Sequence, residues 1–108
     1  MMWIPQIYMN LINTYYYYYF FLIVHTGLTP KNIMYFQEKD GCTERWKLID
    51  FDAACFADSS NDIKIITNYS APEVIRAYDE GIKIRVNFAM DMFSFGLILY
   101  FLETGIFH

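Results

Sequence analysis

The chain has 108 residues, a formal net charge of −4, 56% hydrophobic and 20% aromatic residues, and two cysteines. At that length the upper bound is one small domain, burying roughly 60–70% of its unfolded surface. No two basic residues adjoin, which argues against a nucleic-acid footprint and a polybasic lipid patch. Cys42 and Cys55 form neither a metal-ligand spacing nor a disulfide framework, in keeping with a reducing, cytoplasmic compartment.

Residues 1–21 are an apolar, tyrosine-rich, low-complexity segment with no charge and no clear period, a candidate helix or membrane anchor. No basic n-region or small-residue cleavage site marks it as a secretory signal. About 20 apolar residues suffice for a membrane span. Asn10, Asn13 and Thr14 interrupt this run, however, and Tyr15 to Tyr19 favour the water interface over the bilayer centre. A membrane-anchored location is therefore the alternative to the cytoplasmic one.

From Leu22 onward the character changes. The apolar run "LIVH" is stopped by Gly27 and Pro30, so residues 25–32 are expected to be a loop. "IMYF" (33–36) and "WKLID" (46–50) are strand-like and flank the turn dipeptide Asp40-Gly41, which predicts a β-hairpin with a long loop. Ser59, Ser60 and Asn61 suggest an exposed loop. Ser70 followed by Glu73 reads as a capping box, with Pro72 in the first turn of a short helix through Ala77. The stretch 91–103 is apolar nearly all round and closed by Gly105, which predicts a buried core helix.

Each short motif in this half of the chain has a plain structural explanation. His25 on an apolar run suits a core histidine, Asp50 a turn former, and Asp91 a helix cap. Their order adds meaning: H-T-G-L-T-P-K-N, a hairpin, I-D-F-D, A-P-E, then D-M-F-S-F-G. That series resembles the C-terminal lobe of protein kinases, whose signatures run H-R-D-L-x-x-x-N, D-F-G and A-P-E. The Pro30-x-Asn32 ending is similar to the serine/threonine form of the loop. The resemblance covers about residues 22–107 and implies an α+β fold, mainly helical, with a small β-hairpin. Two regions follow: the apolar segment 1–21, and a partial kinase-like C-lobe over 22–108.

By this resemblance the chemistry would be ATP-dependent phosphoryl transfer to protein Ser/Thr, which rests on positioning and charge neutralisation. Asp50 would hold magnesium and Asn32 the second ion, both as hard oxygen ligands. Met34 stands where the family sets an apolar residue against the adenine ring. Phe51 and His25 resemble packing residues between the lobes, and Asp91 the anchor of the catalytic-loop backbone. The departures fall on the reacting centre. Gly27 occupies the position of the acid that accepts the substrate proton, and Thr29 that of the lysine on the transferring phosphate. Thr26 replaces the loop arginine, Asp52 the glycine after Asp50-Phe51, and Ile66 the threonine expected before Tyr69. Nothing upstream resembles a Gly-rich phosphate loop or a V-A-I-K strand.

A general base alone contributes typically ~10²–10⁴ in rate. The expectation is a kinase-family fragment with no retained catalytic residue and weak or absent binding of ATP and Mg²⁺. The alternative is a small membrane-anchored or protein-interaction module without nucleotide chemistry. A competent kinase would need a separately supplied N-lobe and a replacement base. Exposed apolar surface is expected to recruit a protein partner or a second copy. The kinase-like register begins abruptly near Leu22, so a longer native product that differs upstream is also expected.

Overall fold

The computed structural model describes Asn10, Asn13, residues 22–37 and residues 44–105, with the backbone alone for 36–37 and 44–46. Asn10 and Asn13 have helical backbone; the rest of the 1–21 segment and the Asp40-Gly41 turn lie outside the described residues. In chain order the elements are β1 (Ile23–Val24), a 3₁₀ turn (Pro30–Asn32), β2 (Ile33–Gln37), β3 (Glu44–Leu48), β4 (Cys55–Phe56), β5 (Ser60–Asn61), α1 (Pro72–Glu80), β6 (Ile84–Arg85) and α2 (Phe88–Thr104). This is a mixed α/β arrangement in which the strands form antiparallel pairs, β1 with β4, β2 with β3 and β5 with β6.

The expected hairpin forms, with Ile33 opposite Leu48 and Gln37 opposite Glu44. It starts where it does because Pro30 fixes φ in a short turn whose Thr29 hydroxyl accepts the Lys31 N–H at 3.2 Å. The Ile49 N–H then donates to the Asn32 carbonyl at 2.8 Å, tying the hairpin's exit to the end of the 25–32 loop.

The two helices depart from expectation at their starts. Ser70 does not cap α1: its hydroxyl accepts the Thr67 N–H at 2.8 Å, and the extended residue Ala71 takes the cap position without a side-chain bond. The serine is spent on a turn at 67–70, where the Thr67 hydroxyl also accepts the Tyr69 N–H at 3.0 Å. Such local side-chain bonds compete directly with capping. Pro72 does open the helix, which runs past Ala77 to Glu80 and ends on Gly81 at φ 65°. α2 begins three residues before Asp91, at Phe88, because Asn87 accepts the Ala89 N–H at 2.9 Å. Gly105, at φ 74°, closes it as expected. Ser60 and Asn61 are strand rather than free loop, since Ile84–Arg85 returns after α1 to pair with them.

α2 joins two hydrophobic clusters. Phe95 and Ile98 pack with Leu28, Leu48 and Tyr69, while Met90 packs with Val24, Ala71, Val74 and Val86. The helix is not buried on every side, however: Met92, Phe93 and Tyr100 are exposed. Among the described residues no helix is long and apolar enough to cross a membrane.

Candidate functional site

The loop after β1 is held from beneath by one buried carboxylate. Asp91, in the first turn of α2 and 1% exposed, accepts the His25 N–H at 2.6 Å and the Thr26 N–H at 3.0 Å. Backbone bonds to a carboxylate are charge-assisted and roughly twice as strong as neutral ones. They hold Thr26 at φ 66°, a left-handed conformation uncommon for a β-branched residue. The Thr26 hydroxyl donates to the Ala53 carbonyl at 2.7 Å and so couples the loop to the segment after Asp50.

His25 works as a connector. Its Nδ1 lies 3.2 Å from the Gly27 N–H and accepts from it, so the ring proton sits on Nε2 and is donated to the Ile49 carbonyl at 2.9 Å. The ring meets Phe51 edge-on, with centroids 4.7 Å apart. Both ring nitrogens of this buried imidazole are thus engaged with the backbone, tying the 25–27 loop to Ile49.

Above this frame opens a cleft of about 630 Å³ between the 27–32 loop and residues 65–69. Gly27, Thr29, Asn32 and Asp50 all line it. Four positions marked in the sequence therefore share one cavity, although Asp50 arrives through the hairpin. Asn32 is turned by its Nδ2, which donates to the Gly27 carbonyl at 2.7 Å, and among the described residues Oδ1 accepts no hydrogen bond. Asp50 is exposed and sits at φ 61°, a conformation that aspartate tolerates better than most residues. Met34 stands apart, 44% exposed on β2 and not in the lining of this cleft. A Cβ placed on Gly27 would meet Ile65 Cγ2 at 3.5 Å, an ordinary contact, so the backbone there does not demand glycine.

Hard oxygen donors are thus present as a pair, Asn32 Oδ1 and the Asp50 carboxylate. Among the described residues no group of three His, Cys, Asp or Glu side chains is placed to hold a metal ion. The sequence reading did not single out Lys31, Ile65 and Asn68, which also line the cleft, Lys31 on the loop and the other two on the opposite wall. The only signal for Lys31 was its being the first charge in the chain.

The family described as "Protein kinase domain" matches residues 4–107. The chain belongs to the protein kinase family. It is 32% identical over 90 residues to "Ribosomal protein S6 kinase alpha-4" of Homo sapiens, covering 77% of this chain and 10% of that protein. Identity to "Ribosomal protein S6 kinase 2 alpha" of Xenopus laevis is 33% over 89 residues, or 77% of this chain and 11% of that one. With "Myosin light chain kinase, smooth muscle" of Gallus gallus it is 37% over 87 residues, 78% of this chain and 4% of that protein. The relatives are serine/threonine-type kinases, and the chain spans about a tenth or less of their length. Within this kinase-family frame, the Asp91 bonds to His25 and Thr26 tie the start of α2 to the loop that bears Gly27.

Proposed function

We propose that this chain is part of the C-terminal lobe of a serine/threonine-type kinase domain, spanning residues 22–108, and that it transfers no phosphate. The observation that carries the reading is Gly27. The loop around it is built and anchored, yet at the position of the proton acceptor the cleft wall has no side chain at all. Thr29, at the lysine position, accepts the Lys31 N–H in an exposed bond and offers no positive charge. With neither a base nor a cation on the transferring phosphate, two of the contributions to phosphoryl transfer are missing.

ATP and Mg²⁺, which the family uses, fit this cleft only in part. Asp50 and Asn32 Oδ1 would hold the ion, and its contribution would be to neutralise phosphate charge. Exposed Asp52 adds a further negative charge next to Asp50-Phe51. Nucleotide affinity is accordingly expected to be weak. The test is incubation of the 108-residue chain with radiolabelled ATP, magnesium and generic acceptor proteins. Background incorporation is expected; incorporation abolished by Asp50→Asn would overturn the reading.

A further inference from the structure

Gly27 is held from two sides. Its N–H is accepted by His25 Nδ1 at 3.2 Å, and its carbonyl accepts the Asn32 Nδ2 at 2.7 Å. One of these two partners changes its chemistry with pH. As the neutral Nε2 tautomer, His25 offers a lone pair at Nδ1; once the ring takes a proton, both nitrogens are donors. Nε2 would keep its bond to the Ile49 carbonyl, but the new Nδ1–H would stand against the Gly27 N–H, donor to donor. Among the described residues Nδ1 has no other hydrogen-bond partner, and at 2% exposure the ring is closed to bulk water. A buried donor left unsatisfied is costly, so the 25–27 backbone has to leave the ring. The loop is set to move at Thr26, whose left-handed φ of 66° persists only while its bonds to Asp91 and Ala53 hold it.

The charged groups around the ring come from three elements. α2 brings Asp91, on the His25 N–H, and the segment after β3 brings Asp50 and Asp52, both exposed, on either side of Phe51. Asp62 and Lys64, of opposite sign, share a small cavity with Thr26. β4, paired with β1 at Val24, brings Cys55 and no charge. None of these groups accepts a hydrogen bond from Nδ1 as the loop stands.

We propose that His25 is a proton-sensitive latch on the cleft. Taking up a proton releases the Gly27 N–H, shifts the 25–27 backbone and, through the Gly27 carbonyl, turns the Asn32 side chain that lines the cavity. The latch is a property of the loop and holds whether or not the cleft transfers phosphate.

The test is an NMR titration of the isotopically labelled full chain from about pH 8 to about pH 5, the range in which imidazole takes its charge. The His25 ring signals, the Gly27 amide and the Asn32 side-chain amide should move together, with one midpoint. Protection of the Gly27 amide against exchange, corrected for the intrinsic rate, should fall roughly fivefold across that midpoint, as the loss of one ordinary hydrogen bond implies. His25→Asn, whose Oδ1 can replace Nδ1 as acceptor and does not titrate, should show no midpoint at Gly27 or Asn32. His108→Ala, which removes the other imidazole of the chain, should leave the titration as it is. Shared midpoints in the wild-type chain decide the proposal even where His25→Asn does not fold. A Gly27 amide that does not follow the His25 ring, a ring that stays neutral down to about pH 5, or the same Gly27 titration in folded His25→Asn would overturn it.

Discussion

Asp91 holds Thr26 in a left-handed backbone conformation from a distance of 65 residues in sequence. The carboxylate's two oxygens divide between neighbouring amides, Oδ2 to His25 and Oδ1 to Thr26. Because Thr26 is β-branched, its φ of 66° is costly unless the surroundings over-determine it. The anchor and the strain are therefore one feature. They fix the path of the chain into Gly27 and on to the cleft.

Replacing Asp91 by Asn should be destabilising. The amide keeps the shape but turns an NH₂ group toward one of the two N–H donors and removes the charge from both bonds. A loss of about 2–3 kcal/mol in urea-induced unfolding is expected for a buried, charge-assisted pair. Hydrogen exchange at the His25 and Thr26 amides should accelerate in parallel. A loss under about 0.5 kcal/mol, the range of an ordinary surface change, would mean that Asp91 is not the anchor.

Gly27→Asp should fold normally. Its Cβ would stand 3.5 Å from Ile65 Cγ2 at the edge of an open cleft, and the position is not among the positive-φ glycines. The expected stability change is within about 0.5 kcal/mol. Combined with Thr29→Lys it should still give background phosphate transfer, because nucleotide affinity is expected to stay weak. Robust turnover by the double variant would show that those two positions were the whole deficit.

Ser94→Ala tests how the cleft's far wall is supported. The buried Ser94 hydroxyl donates to the Tyr69 carbonyl at 2.6 Å, and its own helix carbonyl, Met90, is farther away at 3.2 Å. Removing it leaves the Tyr69 carbonyl without that partner, at a cost of about 1–2 kcal/mol. A melt with the temperature unchanged would assign the serine to its own helix instead.

The outer face of α2 should be adhesive. Met92 is 55% exposed and Tyr100 61%, with Phe93 beside them at 39%. Contiguous apolar surface of this kind marks interfaces or aggregation. Met92→Lys combined with Tyr100→Lys should lower hydrophobic-dye fluorescence and reduce self-association in sedimentation, with no loss of thermal stability. If dye binding stays the same, the adhesive surface lies elsewhere.

Much of the architecture is local and was therefore legible in the residues alone. The hairpin follows from two strand-like runs around a turn dipeptide, the opening of α1 from Pro72, and the end of α2 from Gly105, where an αL residue stops a helix. The family was legible for a different reason: the order of H-T-G-L-T-P-K-N, I-D-F-D, A-P-E and D-M-F-S-F-G is a property of the string, and the "Protein kinase domain" match agrees with it. Where local rules competed, sequence reasoning went astray. Ser70 had two equally near tasks, capping a helix or closing a turn, and only the path of residues 67–70 decided for the turn. Ser60 and Asn61 look like loop residues until Ile84–Arg85, on the far side of α1, returns to pair with them. The site was settled at still longer range. That Asp91 would reach His25 and Thr26 depends on α2 crossing beneath the loop. A hydrogen bond needs its partners within about 3 Å and aligned, a condition that the sequence does not encode locally and that packing alone fulfils.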